Sequence, residues 1–264
     1  MKKQVILKPI QPNWAIGNAY RVKLNKLVKL MLKDVFSKID NNYLIAEPQI
    51  LAIVGDSKET NQLYQSINIK LDKWQRIFVN FANRYAPRFV AETDQSVTNQ
   101  LKNRLKPYEN FLVVKFSKEN QQILDCIQAT IQENVDLITN IPIKLKEQIQ
   151  VQVTQAVSRG RDHKYLEEQL AKTGRFTENR VKLIARDQID KATSAISHAR
   201  QAELGITKQT WVYTFVSKEA RQSHKAANGK VYEISKGCKI DGEYIYPAQK
   251  INCKCTSAIV LEFD

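Results

Sequence analysis

The chain has 264 residues, of which 43% are hydrophobic and 26% charged, so it is long enough to bury a substantial core and too apolar for wholesale disorder. Its 41 Lys and Arg residues outnumber 27 Asp and Glu residues, and the net charge of +14 favours either a polyanionic partner or a well-solvated basic surface. No apolar run reaches the roughly 18 residues of a membrane-spanning helix, which excludes a spanning segment.

The N-terminal segment predicts the cellular compartment, and the compartment in turn predicts the redox state of the cysteines. Lys8 and Pro9 interrupt the first apolar stretch after Val5, Ile6 and Leu7, so we expect no signal peptide. The protein is then expected to stay in a reducing cytoplasm. There its four cysteines are predicted to be free thiols or metal ligands rather than disulfides.

Glycine usage divides the chain into two parts. Gly17 and Gly55 are the glycines before residue 158, and six more follow it. Because glycine supplies turns and helix stops, the first part is predicted to form long helices and the second to turn often. We therefore predict an α+β protein with a boundary near Ser158–Asp162. A long-helical region occupies 1–158, and a helical hairpin with a small turn-rich β module occupies 159–264.

Two long amphipathic helices open the first part. Apolar residues at helical spacing predict one over Ile16–Ile39 with a basic face, and another over Glu59–Arg84. Pro87 is expected to end or kink the second helix. The basic face of the first consists of Lys23, Lys26, Lys29 and Lys33.

A third helix is predicted after a short ambiguous segment. Phe111–Phe116 has the composition of either a short strand or a buried loop. Ser117 is expected to cap the helix, whose apolar stripe includes the core residue Cys126, and Pro142 is expected to stop it.

The second part begins with the predicted hairpin. One helix covers His163–Lys172 and stops at Thr173-Gly174, and the next runs from Thr177 to Leu204. The apolar stripe of the latter consists mostly of small residues interrupted by Gln188, so we expect it to pack closely against a neighbour. The apolar period then shortens from helical spacing to two, which predicts short strands at 211–216, 230–234, 243–246 and 256–261.

Such a small sheet buries too little apolar surface to be stable alone, so we expect a cross-link or a metal ion to stabilise it. The candidate ligands are His224, Cys238, Cys253 and Cys255, which lie within 32 residues of one another. Three thiolates and an imidazole form a complete tetrahedral set for structural Zn²⁺. The one-residue gap of Cys253-x-Cys255 is tighter than the common two-residue gap. A disulfide within that pair would be strained, while burial as inert thiols remains an alternative.

The same segment resembles the phage Mu F-like head-morphogenesis family. The resemblance rests on the Trp-bearing strand at Trp211, Arg221-x-x-His224, Gly229 before an aromatic strand, and the closing Asn252-Cys253-Lys254-Cys255. The upstream helix Ile184–Arg200 is similar as well, so the resemblance covers about residues 160–260. Some relatives carry Cys-x-x-Cys where this chain has Arg221-x-x-His224, and Lys254 stands where Arg is usual. His224 then takes over as a ligand and Cys238 supplies the fourth.

The resemblance implies a minor head protein of a tailed bacteriophage, with no enzymatic activity and no catalytic residues. Its implied partners are the portal protein, the major capsid or scaffolding protein, and viral DNA bound non-specifically through charge. No membrane is implied during assembly. The implied location is the virion head, with assembly in the host cytoplasm, and a role in DNA packaging or ejection is also implied. Arg221 and Lys254 flank the ligand set and are either solvated or in contact with DNA or a carboxylate.

Two other classes remain open. His224-x-x-x-Asn228 has the spacing of an HNH-like metal nuclease, but Glu219 is the only acid in residues 217–223, and the usual preceding His or Asp is absent. We read Asn228-Gly229 as a tight turn. A zinc-stabilised DNA-binding regulator fits the charge, although the lysines are dispersed rather than concentrated on one recognition helix. The other histidines, His163 and His198, are predicted to be helix-surface or interface residues.

Overall fold

A computed structural model describes residues 3–43, 58–110, 113–117, 120–159, 162–214 and 221–263. After one short N-terminal strand, long helices precede a small C-terminal β module, which confirms the predicted α+β class. The helices are α1 (Trp14–Tyr43), α2 (Lys58–Leu105), a 3-10 helix (Lys106–Tyr108), α3 (Gln121–Ser158), α4 (His163–Glu203) and α5 (Gln222–Ala226). The strands are β1 (Lys3–Ile6), β2 (Lys208–Val212), β3 (Val231–Glu233), β4 (Cys238–Ile240), β5 (Glu243–Ile245) and β6 (Thr256–Phe263).

The chain forms two compact units, each assembled from separate stretches of sequence. The helical unit contains Tyr20–Ala86 and Asn134–Ile184, and the mixed unit contains Met1–Ala19, Pro87–Glu133 and Ala185–Asp264. Each of the four long helices contributes residues to both units. The boundary predicted near Ser158–Asp162 falls in the link between α3 and α4 and stays a prediction.

Helical spacing of large apolar side chains explains the core of the helical unit. On α1, every third or fourth residue from Tyr20 to Ile39 is buried, which confirms the amphipathic pattern. Trp74 and Phe78 of α2 are buried as predicted, whereas Phe81 is half-buried and stacks on Tyr85 with ring centroids 5.3 Å apart.

Short polar side chains begin the helices. The Asn13 side chain accepts a hydrogen bond from the Ala15 amide at the start of α1, and Asp162 accepts one from Tyr165 at the start of α4. At α3 the cap is Asn120, whose Oδ1 accepts from the Gln122 amide at 3.0 Å, so the prediction that Ser117 caps this helix is wrong.

The two internal prolines do not end their helices. Pro87 lies inside α2 and Pro142 inside α3, so the predicted stop at Pro142 is wrong and α2 extends beyond Arg84. A proline removes one backbone donor, but buried residues on both sides of it can outweigh that loss. Ala86 and Phe89 are buried around Pro87, and Ile141 and Leu145 around Pro142.

The predicted hairpin over residues 163–204 is also wrong, because α4 is continuous from His163 to Glu203. Thr177 does not cap a new helix: its hydroxyl donates to the Thr173 carbonyl at 2.8 Å, within the helix. Gly174 is buried against Phe36, and a Cβ on it would lie 3.4 Å from Phe36 Cε2. Close packing, rather than a helix stop, accounts for this glycine. The real end is marked by Gly205, with a φ of 71°.

The mixed unit contains a four-stranded antiparallel sheet with the order β1-β6-β2-β3. The strands β2, β3, β5 and β6 confirm four predicted segments with shifted ends. β2 begins at Lys208 and ends at Val212, and residues 215–216 of the predicted strand lie outside the described residues. The sequence did not predict β1 and β4, because their four and three residues are too short to show a period. β4 pairs with β5 in a separate two-stranded sheet.

A buried chain of hydrogen bonds fastens this sheet to α4. The Tyr232 hydroxyl donates to Gln209 Oε1 at 2.7 Å, and the Gln209 amide donates to Gln201 Oε1 at 2.8 Å. The Gln201 amide in turn donates to Ser197 Oγ at 2.7 Å. Each side chain in this series of hydrogen bonds has a partner. The buried network therefore fixes the position of the β module on α4.

The ambiguous segment before α3 is neither a strand nor a buried loop over the part described. Residues 113–116 have no regular structure, and Val113 is 84% exposed. Residues 111–112 lie outside the described residues. Cys126 is half-buried rather than part of the core. Within the described ranges, no helix combines the length and hydrophobicity needed to cross a bilayer.

Candidate metal centre and the cavity beside it

Two tight turns place the cysteine pair at the start of β6. Ala248 and Asn252 have φ angles of 64° and 61°, in the left-handed region, and the Cys253 amide donates to the Lys250 carbonyl at 3.0 Å. The Asn252 amide donates to Asp187 Oδ1 of α4 at 2.9 Å. This loop therefore presents Cys253 and Cys255 side by side against the helix.

The short helix α5 brings His224 to the same place. The turn after α5 is fixed on β2, because the Gly229 amide donates to the Trp211 carbonyl at 2.8 Å and the Trp211 amide donates to Lys230 at 2.9 Å. Asn228-Gly229 therefore forms the predicted turn. The His224 ring stands edge-on to the Trp211 indole, with centroids 5.1 Å apart and planes 85° apart.

The ligand atoms of His224, Cys253 and Cys255 all lie within 4.8 Å of one another, and all three residues are buried. His224 Nδ1 lies 3.4 Å from Cys253 Sγ and 3.8 Å from Cys255 Sγ. For tetrahedral Zn²⁺, ordinary Zn–S and Zn–N bond lengths give a nitrogen–sulfur separation of about 3.6 Å. The observed distances bracket this value, so the donor set fits one face of a zinc tetrahedron.

The two thiols differ in acidity. The hydrogen bond from Cys255 to Cys253 lowers the pKa of Cys253 to about 5, and backbone amides of Cys255 and Ala248 also donate to its sulfur. The same bond raises the pKa of Cys255. At neutral pH the pair therefore carries one thiolate, and a bound metal ion would displace the second proton.

A buried indole also fits a charged sulfur at Cys255. Among the described residues, buried Trp211 Nε1 has no hydrogen bond of good geometry; the acceptor nearest to its N–H is the Cys255 sulfur, and this interaction acts to lower the pKa of Cys255. A buried donor without an acceptor costs roughly 1 to 3 kcal/mol. A metal-bound thiolate at Cys255 would give this N–H an acceptor, so the environment suits the ligated form of the cysteine.

Cys238, the fourth predicted ligand, is not in the group of three. It lies on β4, paired with Ile245, in the same buried cluster as Trp211 and both other cysteines. Burial raises the pKa of Cys238, which favours the neutral thiol of a core residue. The structure thus brings together three of the four predicted ligands.

A cavity of about 320 Å³ opens in front of the group of three. His224, Cys253 and Cys255 form part of its wall, and Arg186, Arg221 and Lys254 form another part. Arg221 Nη2 donates to the Ile251 carbonyl at 3.2 Å, which holds the guanidinium beside the cysteine loop. We name this space the basic cavity.

Sequence reasoning missed two residues of this site. Arg186 comes from α4, 35 positions before Arg221, and no spacing rule connects it to the cysteines. The sequence predicts Trp211 only as a strand residue, and its contact with His224 arises because the turn after α5 is bonded to β2. His198, predicted on a helix surface or interface, is instead buried, with Nε2 3.4 Å from Ser257 Oγ. The side chain of His163 lies outside the described ones.

One protein-family model matches the C-terminal part of the chain. Residues 147–258 match the family described as Phage Mu protein F like protein, which confirms the resemblance predicted for the C-terminal part of the chain. The match begins in α3 and ends in β6, so it includes all of the candidate metal centre.

A relative extends the similarity to nearly the whole chain. Over 97% of its length, this chain is 27% identical to an uncharacterized protein of Haemophilus influenzae. It spans 55% of that relative, or about half its length. No solved structure matches the chain.

Proposed function

We propose that this chain is a minor head protein of a tailed bacteriophage and acts in head assembly at or near the portal. The observation that carries the proposal is the match of residues 147–258 to the Phage Mu protein F like family. The order of elements supports it, because long helices joined to a small β module provide extended contact surfaces.

The proposed partners are the portal protein, the major capsid or scaffolding protein, and viral DNA. The excess of basic residues supports the last of these, since a net charge of +14 attracts the phosphate backbone regardless of sequence. The proposed location is the phage head, after assembly in the host cytoplasm, with a contribution to DNA packaging or ejection.

The metal centre has a structural role in this proposal. His224, Cys253 and Cys255 would hold a zinc ion, which fixes α5 and the cysteine loop to each other in a module with a small core. Zinc in such sites contributes directly to folding free energy. Elemental analysis of the purified full-length protein should give about one zinc per chain. A much lower content in a protein whose C-terminal module is folded would refute the metal.

The function is tested by deleting the coding sequence from the phage or prophage that carries it. We expect electron microscopy of the resulting particles to show heads that are absent, empty or non-infectious, and an intact copy supplied in trans should restore infectivity. A gold label on a tagged copy should mark one vertex of the head. Normal yields of infectious particles without the gene would refute the proposal.

A nuclease assay separates this proposal from its enzymatic rival. None of the described residues that line the basic cavity carries a carboxylate that could act as a general base. Incubation of plasmid DNA with the protein and magnesium or manganese should therefore leave the plasmid supercoiled. Cleavage that is lost in a His224→Ala variant would favour the HNH-like alternative instead.

A further inference from the structure

The basic cavity gathers three positive side chains, and no described acid lines it. The three are Arg186, Arg221 and Lys254. None of these three cations has a carboxylate of another described residue within 4.0 Å; the charge of Arg186 acts at longer range on the buried Asp190, whose raised pKa shows that it is not held ionised. By contrast, neighbouring lysines are paired: Lys250 lies 2.5 Å from Glu243, and Lys208 lies 2.8 Å from Glu262.

The acid nearest to the cavity in sequence is already occupied. Asp187 follows Arg186 on α4, but its Oδ1 accepts the Asn252 amide at 2.9 Å and its Oδ2 lies 3.1 Å from Lys191 Nζ. It therefore serves to fix the cysteine loop and does not compensate the cavity. Three cations around one opening repel each other unless an anion enters.

We propose that the basic cavity binds a phosphate group, held by Arg186, Arg221 and Lys254. Guanidinium groups present parallel N–H donors that match the oxygen atoms of phosphate, and two of them approach the same space here. The Arg221 bond to Ile251 uses one guanidinium nitrogen and orients the rest of the group. A volume of about 320 Å³ admits a phosphate with its attached sugar.

The candidate metal centre is compatible with an anion in this position. Zinc with two thiolates and a neutral imidazole carries no net charge, so it leaves the three cations uncompensated. All three ligand residues line the cavity, and no further His, Cys, Asp or Glu among the described residues joins the group of three.

That the cavity binds a phosphate group is inferred from its residues. Which molecule carries the phosphate is inferred from the proposed function. In a head protein the expected source is the backbone of viral DNA. Free inorganic phosphate shares the same chemistry, so the experiment needs separate arms for the two.

The first arm measures binding of inorganic phosphate to the full-length protein by isothermal titration calorimetry at constant ionic strength. Arg186→Gln, Arg221→Gln and Lys254→Gln should each weaken binding at least tenfold. Lys250→Gln is the matched control, because it removes the same charge from the same loop but from a lysine paired with Glu243. We expect it to change affinity less than twofold. Absent phosphate binding, or equal losses in the control, would overturn the proposal.

The second arm uses a fluorescent single-stranded oligonucleotide of mixed sequence. If the backbone is the source, the three cavity variants should weaken oligonucleotide binding more than Lys250→Gln does, and inorganic phosphate should compete. If phosphate binds but the cavity variants and the control bind the oligonucleotide equally, the DNA source is overturned and the cavity holds free phosphate. As a control, the melting temperature of each variant is measured. A value equal to that of the wild-type protein shows that the substitution left the fold intact.

Discussion

Gly17 of α1 faces Ile189 of α4 across a gap that leaves no room for a side chain. A Cβ at Gly17 would lie 3.0 Å from Ile189 Cγ2 and 3.3 Å from Ile189 Cβ. Alanine is better than glycine in a helix interior by about 1 kcal/mol. Overpacking of a buried contact costs about 1 to 3 kcal/mol, and Ile189 is fully buried and cannot move aside freely. The steric cost should therefore exceed the gain in helix propensity.

We predict that Gly17→Ala lowers the free energy of unfolding by about 1 kcal/mol in urea titrations. In an Ile189→Ala background the obstructing Cγ2 is gone, so the same substitution should be neutral or stabilising. The difference between the two backgrounds measures the steric contact itself. An equal effect in both backgrounds would show that the close approach does not matter.

Cys255→Ser should remove the dependence of stability on zinc. Serine is a poor zinc ligand and leaves Trp211 Nε1 without its sulfur neighbour, so the C-terminal module should unfold at lower temperature. We expect the melting temperature of the native protein to fall on treatment with a chelator, and that of the variant to be low already and unchanged. Cys126→Ser is the control, since Cys126 is a half-buried thiol on α3 outside the group of three. A chelator response retained in Cys255→Ser would contradict the ligand assignment.

Single residues show how far the sequence predicts the site. His224, Cys253 and Cys255 could be selected from their chemistry and spacing alone, because few other residues in the module can bind zinc. Cys238 has the same chemistry, and only its position on β4 separates it from the group. Arg186 could not be selected, because the three-dimensional packing of α4 beside the cysteine loop creates the basic cavity.

At the scale of elements, the sequence predicted where helices exist better than where they end. The apolar period identified α1, α2 and α3, since that period follows directly from burial of one face. The sequence predicts helix stops at Pro142 and Gly174 because each residue weakens an isolated helix. Long-range packing outweighs that local preference: Leu145 is buried after Pro142, and Gly174 fits against Phe36. Short strands such as β1 depend on a partner strand that local sequence does not reveal.

Helix α4 carries two buried titratable groups with opposite effects on stability. Burial lowers the pKa of His198 from 6.5 to about 4. Between these pH values the imidazole is neutral in the folded protein and protonated in the unfolded chain. This costs stability as the pH falls from about 6.5 to about 4. Burial raises the pKa of Asp190 from 3.8 to about 7, so the folded protein retains a proton that the unfolded chain releases. This costs stability as the pH rises from about 3.8 to about 7.

We predict that single substitutions will separate these two opposing effects. Relative to the native protein, Asp190→Asn should gain stability progressively as the pH rises from about 4 to 7. His198→Gln should gain it as the pH falls from about 6.5 to 4. Each effect should be of the order of a few kcal/mol at full extent. Urea unfolding at several pH values measures both curves, and pH-independent differences from the native protein would show that neither group titrates as its burial requires.

At the scale of the whole molecule, positive charge is spread over the chain rather than collected in one domain. Lys and Arg outnumber Asp and Glu in both compact units. In the helical unit, α1 presents Lys26, Lys29 and Lys33 as exposed side chains. Composition alone predicts this general attraction to a polyanion. It does not locate the basic cavity, where three cations and no described acid line one opening.

We predict that the full-length protein binds duplex DNA of any sequence and loses affinity steeply with salt. Each phosphate contact contributes about −0.9 to the slope of log affinity against log salt concentration. The triple variant Lys26→Gln, Lys29→Gln, Lys33→Gln should therefore have a shallower slope. The matched triple variant with Arg at these positions keeps the charge and should retain the native slope. Fluorescence anisotropy with labelled duplexes, between roughly 50 and 200 mM salt, measures both.

The outcome also separates the head protein from a DNA-binding regulator. Counterion release does not depend on base sequence, so a protein that contacts packaged DNA through charge should bind unrelated duplexes equally. A regulator reads base edges and would prefer one duplex at moderate salt, where backbone contacts alone are weak. Equal affinities that fall together with salt support the head protein. A sequence preference that survives the increase in salt would contradict it, and binding that does not respond to salt would show that the net charge of +14 has no role in recognition.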